Sequence, residues 1–295
     1  MNERRTLEQD QTFGLRNAPL RPRQRRELLE REGTFHIESE DGEVILAPDE
    51  GQQRLFWAFR DVESMRQDFP EMWAQAREHI AREEIDYVAT DVSGLPTREW
   101  LDPLLKDADF ELFAEWMDMQ NPDLDADAVP EFPEGVTMRK ATEEDLDRFY
   151  EIWSEAYGDL GDGPATFDWL TEQAAWAGAL EDADGDVIAF AFNAPVERNA
   201  GRVLTAAVAP EAWGNGYGRL ILGAAVYQLA ASEALTAAIR VRPDIKQGLR
   251  TCADLGFTYG GAGIEYRRIT DEEAIAQRRE ERRVAGVKAR FGKWR

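Results

Sequence analysis

Short apolar runs and amphipathic stretches alternate along most of the chain. Continuous or period-two apolar runs mark strands, and apolar residues three and four apart mark helices. Residues 33–48 read as a hairpin, with Phe35 and Ile37 on one arm, Val44, Ile45 and Leu46 on the other, and a turn at Asp41-Gly42. Residues 55–59 (LFWAF) predict a further strand. Pro70 sits where a helix could open, and Met72, Trp73, Ala76 and Ile80 follow at helical spacing. Residues 87–90 predict a strand, Thr97 caps a helix through Leu105, and residues 111–117 predict a closing strand.

The pattern then breaks. Residues 121–135 (NPDLDADAVPEFPEG) hold three prolines and five acids with almost no periodicity, which places a domain boundary there. A second patterned set follows. Residues 136–139 predict a strand, and Thr142 caps a helix carrying Leu146, Phe149, Tyr150, Trp153 and Ala156 on one face. A second helix spans 167–175, and strands at 176–180 and 187–193 turn at residues 182–185. After a strand at 203–208 come a glycine-rich turn, a nearly all-apolar helix at 219–232, a buried strand at 236–241, a helix stopped by Gly256, and final strands over 257–269. The order is β-α-α-β-β-β-α-β-α-β. The first set repeats it weakly, and both short helices lead into a phenylalanine, Phe110 and Phe257. The chain therefore divides into an arm (1–32), a first domain (33–120), a linker (121–135), a second domain (136–269) and a tail (270–295).

Charge sharpens this division. Net charge is −23, yet residues 1–32 carry eight Arg against six acids and residues 267–295 carry ten Lys or Arg against five, leaving −30 over 33–266. Lysine is confined to five positions. An acidic, lysine-poor surface predicts a halophilic source, because concentrated salt screens its self-repulsion. Steering of a cationic substrate is the rival reading. The tail places Phe291 and Trp294 among Lys288, Arg290, Lys293 and Arg295, a composition that can bind nucleic acid. The charge balance favours its lying instead on an acidic face of its own or a neighbouring subunit, as in a homodimer. One cysteine, Cys252, excludes an intramolecular disulfide, and two histidines argue against a metal site. No apolar run reaches the ~20 residues of a membrane span. The first residues hold no apolar stretch, so no secretory leader is expected and the compartment expected is the cytoplasm.

The chemistry concentrates at residues 203–227, VLTAAVAPEAWGNGYGRLILGAAVY. A strand, a glycine turn and a helix N-terminus make an anion cradle, since converging backbone N–H groups and the helix dipole both favour a phosphate. In the first domain the matching position is Arg60-Asp61-Val62-Glu63-Ser64, with side chains where the second has glycines. The run from Val208 to Gly218 resembles the acyl-CoA-binding motif of the GCN5-related N-acetyltransferases, and the element order and Leu255-Gly256-Phe257 match too. The resemblance covers residues 136–269 well and 33–120 as a degenerate copy. It implies an α/β (α+β) fold of tandem units, each a mixed, mostly antiparallel sheet flanked by helices.

The resemblance also implies acetyl-CoA as co-substrate and a small-molecule or peptide amine as acceptor, attacking directly. The CoA pyrophosphate would rest on Trp213, Gly214, Asn215, Gly216, Tyr217 and Gly218, with Arg219 adding charge. Ala206 and Val208 would lie along the pantetheine arm, and a backbone N–H near Val208 would polarise the thioester carbonyl. Trp213 departs from the Gln or Arg usual at its position. Cys252 stands where the family often has a tyrosine that protonates the leaving thiolate. Candidate bases are Glu155, Asp159 and Asp162, while Arg240 and Arg242 could bind an acidic group on a ligand. The departures leave open a second reading, a non-catalytic module that keeps the fold for CoA sensing or assembly.

Overall fold

The computed structural model describes residues 13–85, 87–94, 99–127, 129–157 and 164–269. Among these, 13–114 with 263–269 form one compact unit and 115–262 form the other.

The first unit contains β1 (Leu15–Arg16), α1 (Pro22–Leu29), β2 (Phe35–Glu38), β3 (Gly42–Asp49), β4 (Gln52–Phe59), α2 (Val62–Arg82), β5 (Tyr87–Ser93) and α3 (Leu101–Asp107). Its sheet runs β2-β3-β4-β5, with β1 on β4 and residues 263–269 antiparallel to β5. Buried Asn17 ties β1 to its neighbours: its amide donates to the carbonyls of Leu55 and Asp91, and its Oδ1 accepts from Trp57 N–H at 2.8 Å. Helix α2 covers the sheet with Met65, Phe69, Met72, Trp73, Ala76 and Ile80, all buried.

Helix α2 starts eight residues earlier than Pro70 suggested. Asp61 caps it, its Oδ1 accepting from Ser64 N–H at 2.8 Å and from the Ser64 hydroxyl at 3.0 Å. Pro70 lies inside the helix on its exposed side, where water can take the bond its ring denies to the exposed Arg66. The expected cap Thr97 lies outside the described residues.

Strand β6 (Glu111–Asn121) carries the chain onward, and the second unit's share of it is 115–121. Then come β7 (Thr137–Lys140), α4 (Leu146–Tyr157), α5 (Pro164–Gln173), β8 (Trp176–Glu181), β9 (Val187–Asn193), β10 (Ala200–Val208), α6 (Tyr217–Ala231), β11 (Thr236–Val241), α7 (Lys246–Asp254) and β12 (Thr258–Ile269). The second unit's sheet runs β6-β11-β10-β9-β8-β7, with only β10 and β11 parallel. The units divide at 114/115 and 262/263, so the proline-rich stretch 121–135 falls inside the second unit rather than between two domains. Its backbone is anchored there, with Leu124 N–H donating to Leu235 O at 3.0 Å. The final segment is one twelve-residue strand, not several; glycines at 260, 261 and 263 do not interrupt it.

Helix α4 begins at a short 3₁₀ turn where Thr142 and Asp145 form a capping box. Arg139 grips Asp145 with two 2.7 Å bonds. Phe149 stacks on Phe190 at 4.6 Å, and Phe167 meets Phe192 at 6.0 Å, which fixes α4 and α5 against β9. Helix α6 is apolar nearly all round, burying Ile221, Leu222, Ala225 and Leu229. Leu229 lies so close to β10 that a Cβ on Gly201 would sit 2.9 Å from it.

Candidate functional site

The site is an open strand edge leading into a glycine turn. Strand β10 pairs with β11 only from Ala200↔Thr236 to Val203↔Ile239, then continues alone on that side to Val208. Its other side stays paired with β9 through Val208↔Ala189, after a register shift between Val203 and Thr205. Ala209 N–H donates to Ile188 O at 2.9 Å. Antiparallel partners alternate between hydrogen-bonded and non-hydrogen-bonded pairs. Ala209 is therefore bonded to β9, while Val208 and Ala206 turn their N–H and C=O groups toward the edge that β11 has left.

Side chains already hold both exposed carbonyls. The Trp213 indole N–H donates to Val208 O at 2.7 Å, and the Tyr157 hydroxyl donates to Ala206 O at 3.0 Å. The N–H groups of Ala206 and Val208 are the free half of that edge.

Past Val208 a 3₁₀ turn at Pro210–Ala212 leads to Trp213, and α6 begins at Tyr217, two residues earlier than the apolar pattern suggested. Gly214 and Gly216 have φ of +87° and +83°, which side chains adopt only with strain. A Cβ on either would meet nothing within 4 Å, so these glycines are set by backbone conformation, with open space in front of them. Among the described residues, no backbone carbonyl accepts from the N–H groups of Gly214, Asn215, Gly216, Tyr217 or Gly218. Arg219 is exposed in the first turn of α6, and Asn215 uses its side chain to reach Ala212 O at 3.2 Å. Trp213 is 58% exposed despite its bond to Val208.

The catalytic candidates fare differently. Cys252 is 1% exposed, and burial pushes its thiol up to about 11. It is a packed thiol, and burial makes it a weaker acid than a free thiol for the proton-donating place that the resemblance gives it. Glu155 is exposed on α4, and no hydrogen bond is described between it and the strand edge. Asp159 and Asp162 lie outside the described residues, as do Lys288, Arg290, Lys293 and Arg295. Arg240 bonds Asp118 at 3.1 Å and lies 3.8 Å over the Trp116 ring, and Arg242 bonds Asp244. Both arginines are held by local partners.

Tyr157 is the residue sequence reasoning missed, because as the last residue of α4 it reads as part of an amphipathic face. Burial raises its phenol, a hydrogen bond with the Thr205 side chain opposes that, and the neighbouring Cys252 reinforces the rise.

Among the described residues the first unit shows no such cradle at the matching position. The N-terminus of α2 is closed by its own Asp61, and Arg60 pairs with Asp41. One cluster among the described residues, His36, Glu38 and Glu43, has the donors for a cation, but Arg25 already bonds Glu43 at 2.5–3.0 Å.

Residues 138–257 match the model of the Acetyltransferase (GNAT) family. The chain is 27% identical over 177 residues to the mycothiol acetyltransferase of Tsukamurella paurometabola, covering 51% of this chain and 58% of that protein. It thus spans little over half the length of that relative. Among solved structures, a GCN5-related N-acetyltransferase from Sphaerobacter thermophilus aligns with a TM-score of 0.59 at 15% identity, covering 90% of this chain and 89% of its own. A tandem GNAT protein from the clavulanic acid biosynthesis pathway aligns at 0.57 and 15% identity, over 92% of this chain and 96% of its own. At these identities the likeness is one of fold: the chain has the fold of tandem GNAT proteins, and among the described residues the glycine turn lies in its second unit.

Proposed function

We propose that the protein is an acyl-CoA-dependent N-acyltransferase, with acetyl-CoA as donor and a primary amine as acceptor. The observation that carries this reading is the half-open edge of β10 running into five unbonded N–H groups at the start of α6. The N–H groups of Gly214 to Gly218 suit a pyrophosphate, helped by the helix dipole and by Arg219. The free N–H groups of Ala206 and Val208 suit the carbonyls of an extended acyl-pantetheine arm, one of them polarising the reacting carbonyl. Bound acetyl-CoA supplies an activated acyl carbon. No enzyme nucleophile is required, which agrees with the burial of Cys252. The name of the mycothiol acetyltransferase relative supports the acetyl donor, and the partial overlap carries no acceptor across.

Calorimetry with acetyl-CoA, followed by thiol release in mixtures of polyamines and amino acids, tests the reading. Micromolar binding with amine-dependent release is the expected result. Absence of acetyl-CoA binding would refute it, and binding without release by any amine would move the protein to a CoA-sensing role.

A further inference from the structure

The glycine turn holds the chain's one Asn-Gly pair, Asn215-Gly216. An asparagine amide is open to attack by the backbone nitrogen of the residue that follows it, because the attack closes a five-membered ring. The attack is favoured by a side chain at the surface, a following N–H that is not tied into a hydrogen bond, and no Cβ crowding the approach. Asn215 is exposed, tethered through its amide to Ala212 O at 3.2 Å. Gly216 has no Cβ, open space in front of it, and an N–H that no backbone carbonyl accepts among the described residues. The other described asparagines each lack one of these conditions. Asn17 and Asn193 are 1% exposed, and Asn121 precedes Pro122, which has no N–H. Asn199 is exposed, but Ala200 follows it with a Cβ and with its N–H bonded to Glu197 O at 2.9 Å.

We propose that Asn215 is a site of spontaneous modification, where loss of its amide shuts the anion cradle. In the first step Gly216 N gives its proton to water and forms a bond to Asn215 Cγ. The Cγ–Nδ2 bond breaks, and that nitrogen leaves, protonated, as ammonia. Water then adds to one carbonyl of the cyclic imide and breaks a ring carbon–nitrogen bond. Opening at Cγ leaves aspartate, and opening at the backbone carbonyl leaves isoaspartate, with the chain running through the side chain. Over both steps the amide and one water become a carboxylate and ammonium, and no other reactant is consumed. Either product sets a carboxylate among the N–H groups of Gly214 to Gly218, where it repels a phosphate. Isoaspartate also lengthens the backbone before Gly216 and shifts its N–H. On the acyl-CoA reading above, bound pyrophosphate accepts from Gly216 N–H, keeps the proton on that nitrogen and so protects Asn215. The turn thus ages only while it stands empty.

The full-length chain is kept for days below its unfolding midpoint, with and without acetyl-CoA. The tryptic peptide 203–219, bounded by Arg202 and Arg219, carries Asn215 and is followed by mass and retention. A synthetic peptide of the same sequence gives the rate for the unfolded chain. The free protein is expected to gain the mass of amide-to-acid conversion in this peptide before any gain appears at Asn199, with aspartate and isoaspartate eluting apart. Acetyl-CoA at about ten times its Kd leaves about a tenth of the protein empty and slows the gain about tenfold. The converted protein, separated by ion exchange, is expected to bind acetyl-CoA about tenfold more weakly than fresh protein in calorimetry. Asn215→Gln, compared with its own fresh sample, is expected to lose nothing on ageing, because a glutamine must close a six-membered ring. Folded protein that keeps the Asn215 amide while the synthetic peptide loses it would overturn the proposal. Converted protein that binds acetyl-CoA as tightly as before would overturn it too. If fresh protein binds no acetyl-CoA, the acyl-CoA reading falls by itself, and the mass gain alone decides the modification.

Discussion

Glu43 shows how a single carboxylate ties local geometry to solution behaviour. Burial on β3 would raise it, but hydrogen bonds from His36 and Arg25 outweigh that and hold it at about 2. A carboxylate depressed on folding contributes stability above its unfolded value, 4.5, and loses it as the pH falls toward the folded one. The contribution is on the order of 3 kcal/mol at neutral pH. Urea midpoints measured from pH 6 to pH 2 should therefore fall steeply below about pH 4.5 in the wild type and less steeply in Glu43→Gln. Equal slopes would show that the carboxylate's partners do not matter. Cys252 teaches the complementary lesson. From sequence it could be a small buried hydrophobe or an acid, and its neighbours decide for the former. Tyr157 was illegible for the same reason, since its partner, Ala206 O, lies 49 residues away.

Among the elements, the turn into α6 was legible almost residue by residue, because glycine at positions of positive φ is a local requirement that local sequence expresses. The start of α2 was not, because Pro70 is a strong helix-opening signal and Asp61 a stronger one. Gly216 and Gly185 make a matched pair for testing the turn's role. Both have φ near +85° and open space where a Cβ would go. Replacing either with alanine should cost about 1–2 kcal/mol in thermal or chemical unfolding. Only Gly216→Ala should also weaken acetyl-CoA binding, by about tenfold, because only its N–H belongs to the cradle. Equal binding in the two variants would detach the turn from any ligand.

For the whole molecule, the element order and the two similar sets could be read from the chain, whereas the division between units could not. Composition placed the boundary at 121–135, yet contacts place it at 114/115 and 262/263, because β6 and β12 each contribute residues to both units. Pairing between distant strands leaves no local signature. Charge is the property that sequence does fix for the molecule. With −30 confined to residues 33–266, self-repulsion opposes the folded state, and salt shortens its reach from ~10 Å at 0.1 M to ~3 Å at 1 M. The thermal midpoint should climb as KCl is raised over that range, and a flat response would remove the salt-adapted reading. The bonds from Trp213 and Tyr157 to the carbonyls of Val208 and Ala206 have a colloidal consequence as well. An unpaired strand edge invites a second chain to add itself by donating to exposed carbonyls. Here two side chains have taken those acceptors, so a second chain approaching this edge is left only the N–H half of the pairing it would need.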